Sequence, residues 1–237
     1  MPDQSARGPG RPRVLSREER RAIIVEAAEA LFLTRGYGET SMLDIAHASG
    51  MSKRTVYEMF ETKEVLFSAM VLAQHSFAPS FAPPLPGGSA AGDLAAVLTR
   101  MGDFVLAPTQ LAVIRIVIAE SAKVPELARA YYEQGVARAQ AVLAESIAVL
   151  AKRHGLAVDD PLETANFLFG AVFCETLLLS LVGCAEALPE GVLAKGVLAG
   201  RIERVLAVMG PGLGIGGAGS LNGRSAGAPG SSGSASG

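Results

Sequence analysis

The stretch Ser41–Phe60, SMLDIAHASGMSKRTVYEMF, leaves this chain few folds to choose from. Ser41 stands where a helix cap would, and Asp44 three residues on completes a capping-box spacing. Ile45 and Ala46 supply the apolar side of a helix too short to persist alone in water. Gly50 follows where a left-handed residue would end that helix. Ser52 then caps a second short helix predicted over Lys53 to Phe60, with Val56 and Phe60 four apart on an inward face. Lys53, Arg54, Thr55, Tyr57 and Glu58 point elsewhere. Two short helices about a glycine turn, the second opening with cations, form a helix-turn-helix pattern. In that motif the second helix presents its N-terminal residues to the major groove of DNA.

The flanks extend the pattern. The run AAEALFLTRGYGETSMLDIAHASGMSKRTVYEMFETKEVLF is continuous, and its TVYEMF-ETKE segment is its most specific part. From Arg20 to Phe67 the chain resembles the DNA-binding domain of TetR-type transcriptional regulators. The residues themselves place Lys53 and Arg54 at base edges, where a long cation reaches guanine O6 and N7. Thr55 suits a thymine methyl or a phosphate, and Thr40, Ser41 and Ser52 suit contacts to the DNA backbone. The resemblance implies that Tyr57 gives its hydroxyl to a phosphate and that Lys63 does likewise from the next helix. It also implies a homodimer, in which that next helix joins each DNA-reading head to a body and sets the head spacing. Members of the family often carry glycine where Arg54 stands, which makes Lys53 the firmer base-reading candidate. The bland alternative for either cation alone is a solvated charge.

Charge supports local contact with phosphates. The net charge is only −2, yet residues 1–21 hold six arginines against three acids. Residues 1–15 are read as a flexible basic arm broken by Gly8, Pro9, Gly10 and Pro12. Its Gly10-Arg11-Pro12-Arg13 run is similar to the core of an AT-hook, which lays arginines in a narrow minor groove. Arg11 and Arg13 therefore join the DNA-contact candidates, against an arm that touches phosphates or nothing. The N-terminus lacks the apolar region of a secretory signal. Cys174 and Cys184, on one helix, would lie ~15 Å apart, too far to bridge, and a reducing cytoplasm is expected.

The expected architecture is all-α: a helix-turn-helix head over residues 16–67, a helical ligand-binding and dimerisation body over 68–209, and a disordered Gly/Ser-rich tail over 210–237. In the head, a first helix capped by Ser16 carries a stripe of Ile23, Ala27, Ala30 and Leu31, broadened by Ile24, Ala28 and Phe32. Tyr37 is expected to cover this core with its hydroxyl in water. A helix from Lys63 to about Phe77 turns Val65, Leu66, Ala69, Met70 and Ala73 inward. Residues 78–92 read as a connector, after which Asp93 caps a helix that Pro108 stops. A helix over Thr109–Ala122 is apolar nearly all round and so expected to be buried. Pro125 opens a long helix ended by Gly155, Pro161 another to about Gly183, and Pro189 the last, to Met209. The IAES and PELARAYYE segments are similar to the C-terminal domain of the family's AefR-like branch.

Residues 167–184 approach the length of a membrane span, but Glu175 sits in the middle and no cationic flank follows. A helix covered by its own subunit and a second one is the better reading. Asn166, Gly170, Ser180 and Cys184 share one side of it, with Leu177 beside them. Leu198, Ile202 and Val205 of the last helix, with Val197 and Leu206, supply a second face, giving a four-helix contact across a two-fold axis. Arg115 and Glu175 are charges among apolar neighbours, and a buried charge without a partner is costly. They are expected to pair, to meet a ligand, or to reach solvent. Met101, Phe104, Tyr132, Phe169 and Phe173 would line the same cavity or serve as plain core. His75 and His154 have no second ligand at metal spacing, no cofactor is implied, and nothing marks Cys174 as a redox sensor.

Two functions from different classes follow. One is a homodimeric, ligand-responsive regulator, most often a repressor in such families, binding double-stranded DNA at a palindromic operator and released by a small apolar or amphipathic effector. The other is an all-helical enzyme or carrier with a relic helix-turn-helix. Against the second stand the absence of paired catalytic acids, of a nucleotide loop and of a nucleophile with its base.

Overall fold

A computed structural model of the chain describes residues 15–75, 88–183 and 195–213, all of them helix or the turns between. Arg11, Arg13 and Cys184 lie outside these residues, as do 189–194, where the sequence puts the start of the last helix.

The head is built from α1 (Arg17–Arg35), α2 (Met42–Ala48), α3 (Lys53–Met59) and α4 (Lys63–His75). Ser16 caps α1 through a complete capping box: its Oγ accepts from Glu19 N at 3.1 Å and its N donates to Glu19 Oε2 at 2.7 Å. The inward stripe of α1 is Ile24, Val25, Ala28 and Phe32, turned by about one position from the expected one. Along α4, Leu66, Phe67, Met70 and Val71 are buried while Val65 is half exposed and Ala73 is exposed. The phase is set by Phe67, which packs edge-on to Tyr37 at 5.8 Å and tilted to Phe32 at 6.2 Å. Burying each of these rings stabilises the head by ~1.5–3 kcal/mol.

Tyr37 departs from expectation. Its ring is buried and its hydroxyl donates to Glu64 Oε1 at 2.9 Å rather than facing water. Burial first, then the neighbouring carboxylate, pushes the phenol far above its usual range. The turn that delivers it depends on Gly36, whose φ of 91° a side chain would resist.

The body comprises α5 (Ala90–Val105), α6 (Pro108–Glu120), α7 (Pro125–Tyr131), α8 (Ala137–His154), α9 (Pro161–Leu181) and α10 (Lys195–Met209). Ser89, not Asp93, caps α5, accepting from Gly92 N at 3.1 Å. A serine one turn earlier, followed by two alanines, starts the helix sooner and leaves Asp93 inside it. There Asp93 is buried and receives Arg153 Nη1 at 3.2 Å and His154 Nε2 at 3.0 Å, tying α5 to the last turn of α8. His154, and after it Arg153, hold its carboxyl below the usual carboxylate range. Pro108 opens α6 as well as ending α5. The long helix expected from Pro125 is interrupted by a π turn over Tyr132–Val136, and Gly155 closes it at φ 66°. The chain continues past Met209 as a 3₁₀ turn over Gly210–Leu213.

Two apolar cores organise the molecule. The body core gathers Leu98 and Met101 of α5, Leu143 and Ile147 of α8, and Val172 and Phe173 of α9, closed by Leu198, Ile202 and Leu206 of α10. The head core does not stop at the head: Val113 and Val117 of α6 and Leu127 of α7 are buried in it. Helices α6 and α7 therefore belong by packing to the head as much as to the body.

Candidate nucleic-acid interface

The tip of α3 is the exposed cationic surface that the sequence marks out. Ser52 caps the helix, its Oγ accepting from Thr55 N at 3.0 Å and sharing a 2.8 Å hydrogen bond with Thr55 Oγ1. Val56 and Phe60 are fully buried and fix the helix to the head core, where the Arg21 guanidinium of α1 lies over the Phe60 ring at 4.6 Å. With that face anchored, Lys53, Arg54 and Tyr57 are left outside. Lys53 Nζ stands 5.7 Å from the Tyr57 ring, so ammonium and phenol share one patch. Arg54 Nε donates to Glu58 Oε1 at 2.7 Å. Both partners are exposed, and such pairs hold weakly enough to be given up to a better acceptor.

Four other expected contacts have different duties. Ser41 and Ser52 are exposed, but each is committed as a helix cap, Ser41 in a reciprocal box with Asp44. Thr40 is buried; its hydroxyl donates to Gly36 O at 2.8 Å and closes the turn into α2. Lys63 donates to Tyr37 O at 2.8 Å and Thr40 O at 2.9 Å, and its ammonium sits 4.1 Å from the Tyr37 ring. Two of its three protons are thus committed to carbonyls. Lys63 staples the Tyr37–Thr40 turn to the start of α4, because that turn leaves carbonyls that no helix satisfies. Desolvation lowers its pKa.

The body residues expected to line a cavity or serve as plain core are divided between core and surface. Met101 and Phe173 are fully buried in the core, and Phe169 packs edge-on to Phe173 at 5.1 Å. Phe104 lies partly buried at the margin of the same core, while Tyr132, on the π turn, is 58% exposed. Arg115 and Glu175 do not pair. Arg115 is on the exposed side of α6 and donates to Ser180 O at 2.6 Å, satisfying the carbonyl end of α9. Glu175 is exposed and pairs with Arg201 of α10. Helix-end carbonyls and a cation on the facing helix outcompeted the direct pairing.

The residues expected at a two-fold seam differ in exposure. Ser180 is buried with its Oγ donating to Thr176 O at 2.7 Å, and Leu198 and Ile202 are buried within their own chain. Val205 is partly buried against that core and Leu177 is intermediate. Gly170 does remain outward, in company not expected from the sequence: Phe167 (63% exposed), Ala171, Cys174, Leu178 (58%) and Val182 (61%). Their spacing of three and four marks one stripe of α9, and that spacing was the available signal. On α6, Ile118 and Ala119 are exposed as well, against the expectation of burial all round. Helix α9 is long and apolar enough to cross a membrane, with 33% of its most apolar window buried in the chain.

A further polar line had no sequence signature beyond two glutamines among apolar neighbours. Gln110 of α6, 4% exposed, donates from Nε2 to Gln74 Oε1 at 3.1 Å, and Gln74 Nε2 donates to Glu29 Oε1 at 2.8 Å. The line joins α1, α4 and α6.

Two family models match the chain. Residues 24–70 match the family model described as bacterial regulatory proteins, tetR family, and residues 92–208 match that of the AefR-like transcriptional repressor C-terminal domain. Among solved structures, a TetR-family regulator from Mesorhizobium loti MAFF303099 is 27% identical with a TM-score of 0.67, over 82% of this chain and 98% of that one. The flavonoid-responsive regulator FrrA is 30% identical with a TM-score of 0.65, over 82% of this chain and 97% of its own. Among curated proteins, the HTH-type transcriptional regulator TtgR of Pseudomonas putida is 38% identical over 58 residues, 24% of this chain and 28% of TtgR. The transcriptional activator FasR of Mycolicibacterium smegmatis is 41% identical over 61 residues, 26% of this chain and 27% of FasR. The chain thus spans less than a third of the length of these curated relatives in the matched region. By head, body and whole-length likeness together, the chain belongs to the TetR family of transcriptional regulators, which are DNA-binding regulators and not enzymes.

Proposed function

We propose that this chain is a homodimeric, ligand-responsive repressor that holds a palindromic operator until a small apolar or amphipathic effector releases it. The observation that carries the DNA-binding half is α3: Val56 and Phe60 bury one side, and Lys53, Arg54 and Tyr57 stand exposed on the other. One such tip covers a few base pairs, so two are needed for a specific site, and a two-fold pair reads a palindrome. The outward stripe of α9 from Phe167 to Val182 supports the pairing, since an apolar strip of that length is poorly suited to water. A regulator of this kind works where the chromosome is, in the cytoplasm. The name of FrrA makes flavonoids the first effector class to screen. FasR, an activator by name, shows that the sign of regulation needs its own measurement.

The test is footprinting on the chain's own upstream DNA at two salt concentrations, with sedimentation of the free and bound protein. A protected palindrome whose affinity falls steeply with salt, occupied by two subunits, is the expected result. A lone subunit on DNA, or no protected site, overturns it.

A further inference from the structure

Between α1 and α4 lies a groove of about 570 Å³, within the size range of small-molecule sites. It exists because small residues stand where larger ones would close it: Ala22 on α1 faces Ala69 and Ala73 on α4, with Val25 and Leu72 completing an apolar floor. The rim is acidic. Glu18, Glu26 and Glu29 recur along α1 at helical spacing and line the groove, against a single lining cation among the described residues, Arg21. Arg21 is itself held over the Phe60 ring. The groove ends at Gln74, where Glu29 accepts the amide that also links to Gln110 of α6.

We propose that this groove is a binding site for an organic cation with an apolar body. The floor takes the hydrophobic part, and the carboxylates of Glu26 and Glu29 take the charge. Charge complementarity selects this occupant: an anion of the same shape meets three carboxylates at the rim. Glu29 gives only one oxygen to Gln74 in the structure, leaving the other to accept from or stand against the cation. An occupant drawing on Glu29 competes with Gln74 and so bears on the joint between head and body.

The inference goes beyond the operator reading, and its test needs no DNA. Titrate the full chain by calorimetry with tetraphenylphosphonium and, separately, with tetraphenylborate, its anionic counterpart of matching shape. The cation is expected to bind with one site per chain and at least about tenfold more tightly than the anion, a difference of roughly 1.4 kcal/mol. Ala22→Leu, which fills the groove, is expected to abolish that site. Glu26→Gln, an exposed change that leaves the floor alone, is expected to weaken the cation severalfold and the anion not at all. Equal binding of the two ions, no binding of the cation, or cation binding that both variants leave unchanged overturns the proposal.

Discussion

The head and the body of this molecule are held together by different means. In the head, a dense apolar core is framed by polar groups that do the positioning: Ser16, Ser41 and Ser52 start helices, Lys63 closes a turn, and Tyr37 carries a hydrogen bond to Glu64 into an aromatic cluster. In the body, helices such as α9 are apolar over most of their surface, and shape decides what meets what. A surface that must read a fixed lattice of phosphates and bases needs side chains at defined points. A surface that must cover another helix, or enclose a greasy molecule, needs complementarity that many side chains supply in common.

The largest effects should come from the cores, and they test whether the two regions unfold as one. Phe67→Ala in the head and Phe173→Ala in the body should each cost ~3–5 kcal/mol in urea unfolding. Because α6 and α7 are shared with the head core, both variants should shift a single transition. Two resolved transitions, each sensitive to one variant, would show that the head core is independent. Next, replacing Lys53, Arg54 and Tyr57 together by alanine should lower operator affinity by roughly 100-fold or more, since each good pairing with a base edge is worth ~1–3 kcal/mol. The urea midpoint should not move, since all three side chains are exposed. An affinity loss matched by a stability loss would mean that these residues support the head instead of reading DNA.

A smaller effect is expected where the body is packed most tightly. A Cβ at Gly102 would run into Leu198 and the Phe173 ring, so Gly102→Ala should cost ~1–3 kcal/mol, read as a lower midpoint. No change would show that α10 shifts freely against α5. The smallest concerns Asp93. Its folded pKa lies below the unfolded value of about 3.9, so its contribution is full above that pH and is lost as acidification carries the solution through the folded pKa. Asp93→Asn should lower stability at neutral pH and flatten the acid limb of the stability curve. A parallel shift at all pH values would assign the loss to packing rather than to the charge.

Helix existence was readable from the chain because capping serines, Pro125, Pro161 and Gly155 punctuate it, and these are local signals. Helix phase was less so. In α1 the apolar residues outnumber the positions of one stripe, and only the aromatic contacts of Phe32 with Tyr37 and Phe67 settle which ones face in. The site shows the same split. The exposure of Lys53, Arg54 and Tyr57 was visible because they are polar residues on a short amphipathic helix. The structural duties of Thr40 and Lys63 were not visible because their partners are turn carbonyls, which a sequence does not display. Arg115 and Glu175 were expected to pair, to meet a ligand or to reach solvent, and both are exposed. Each found a closer partner, at a helix end or on α10, through packing that apolar periodicity cannot specify.

The π turn at Tyr132–Val136 sits between the part of this helical run that serves the head core and the part that serves the body core. Such a turn accommodates one residue more than regular α geometry allows. Returning it to regular geometry would therefore twist one flank against the other by about 100°, carrying Leu127 and Tyr131 out of their seats. The bulge acts as a phase adjuster: it lets one rod face two differently oriented neighbours, and deleting any single residue within it should set those two allegiances in conflict.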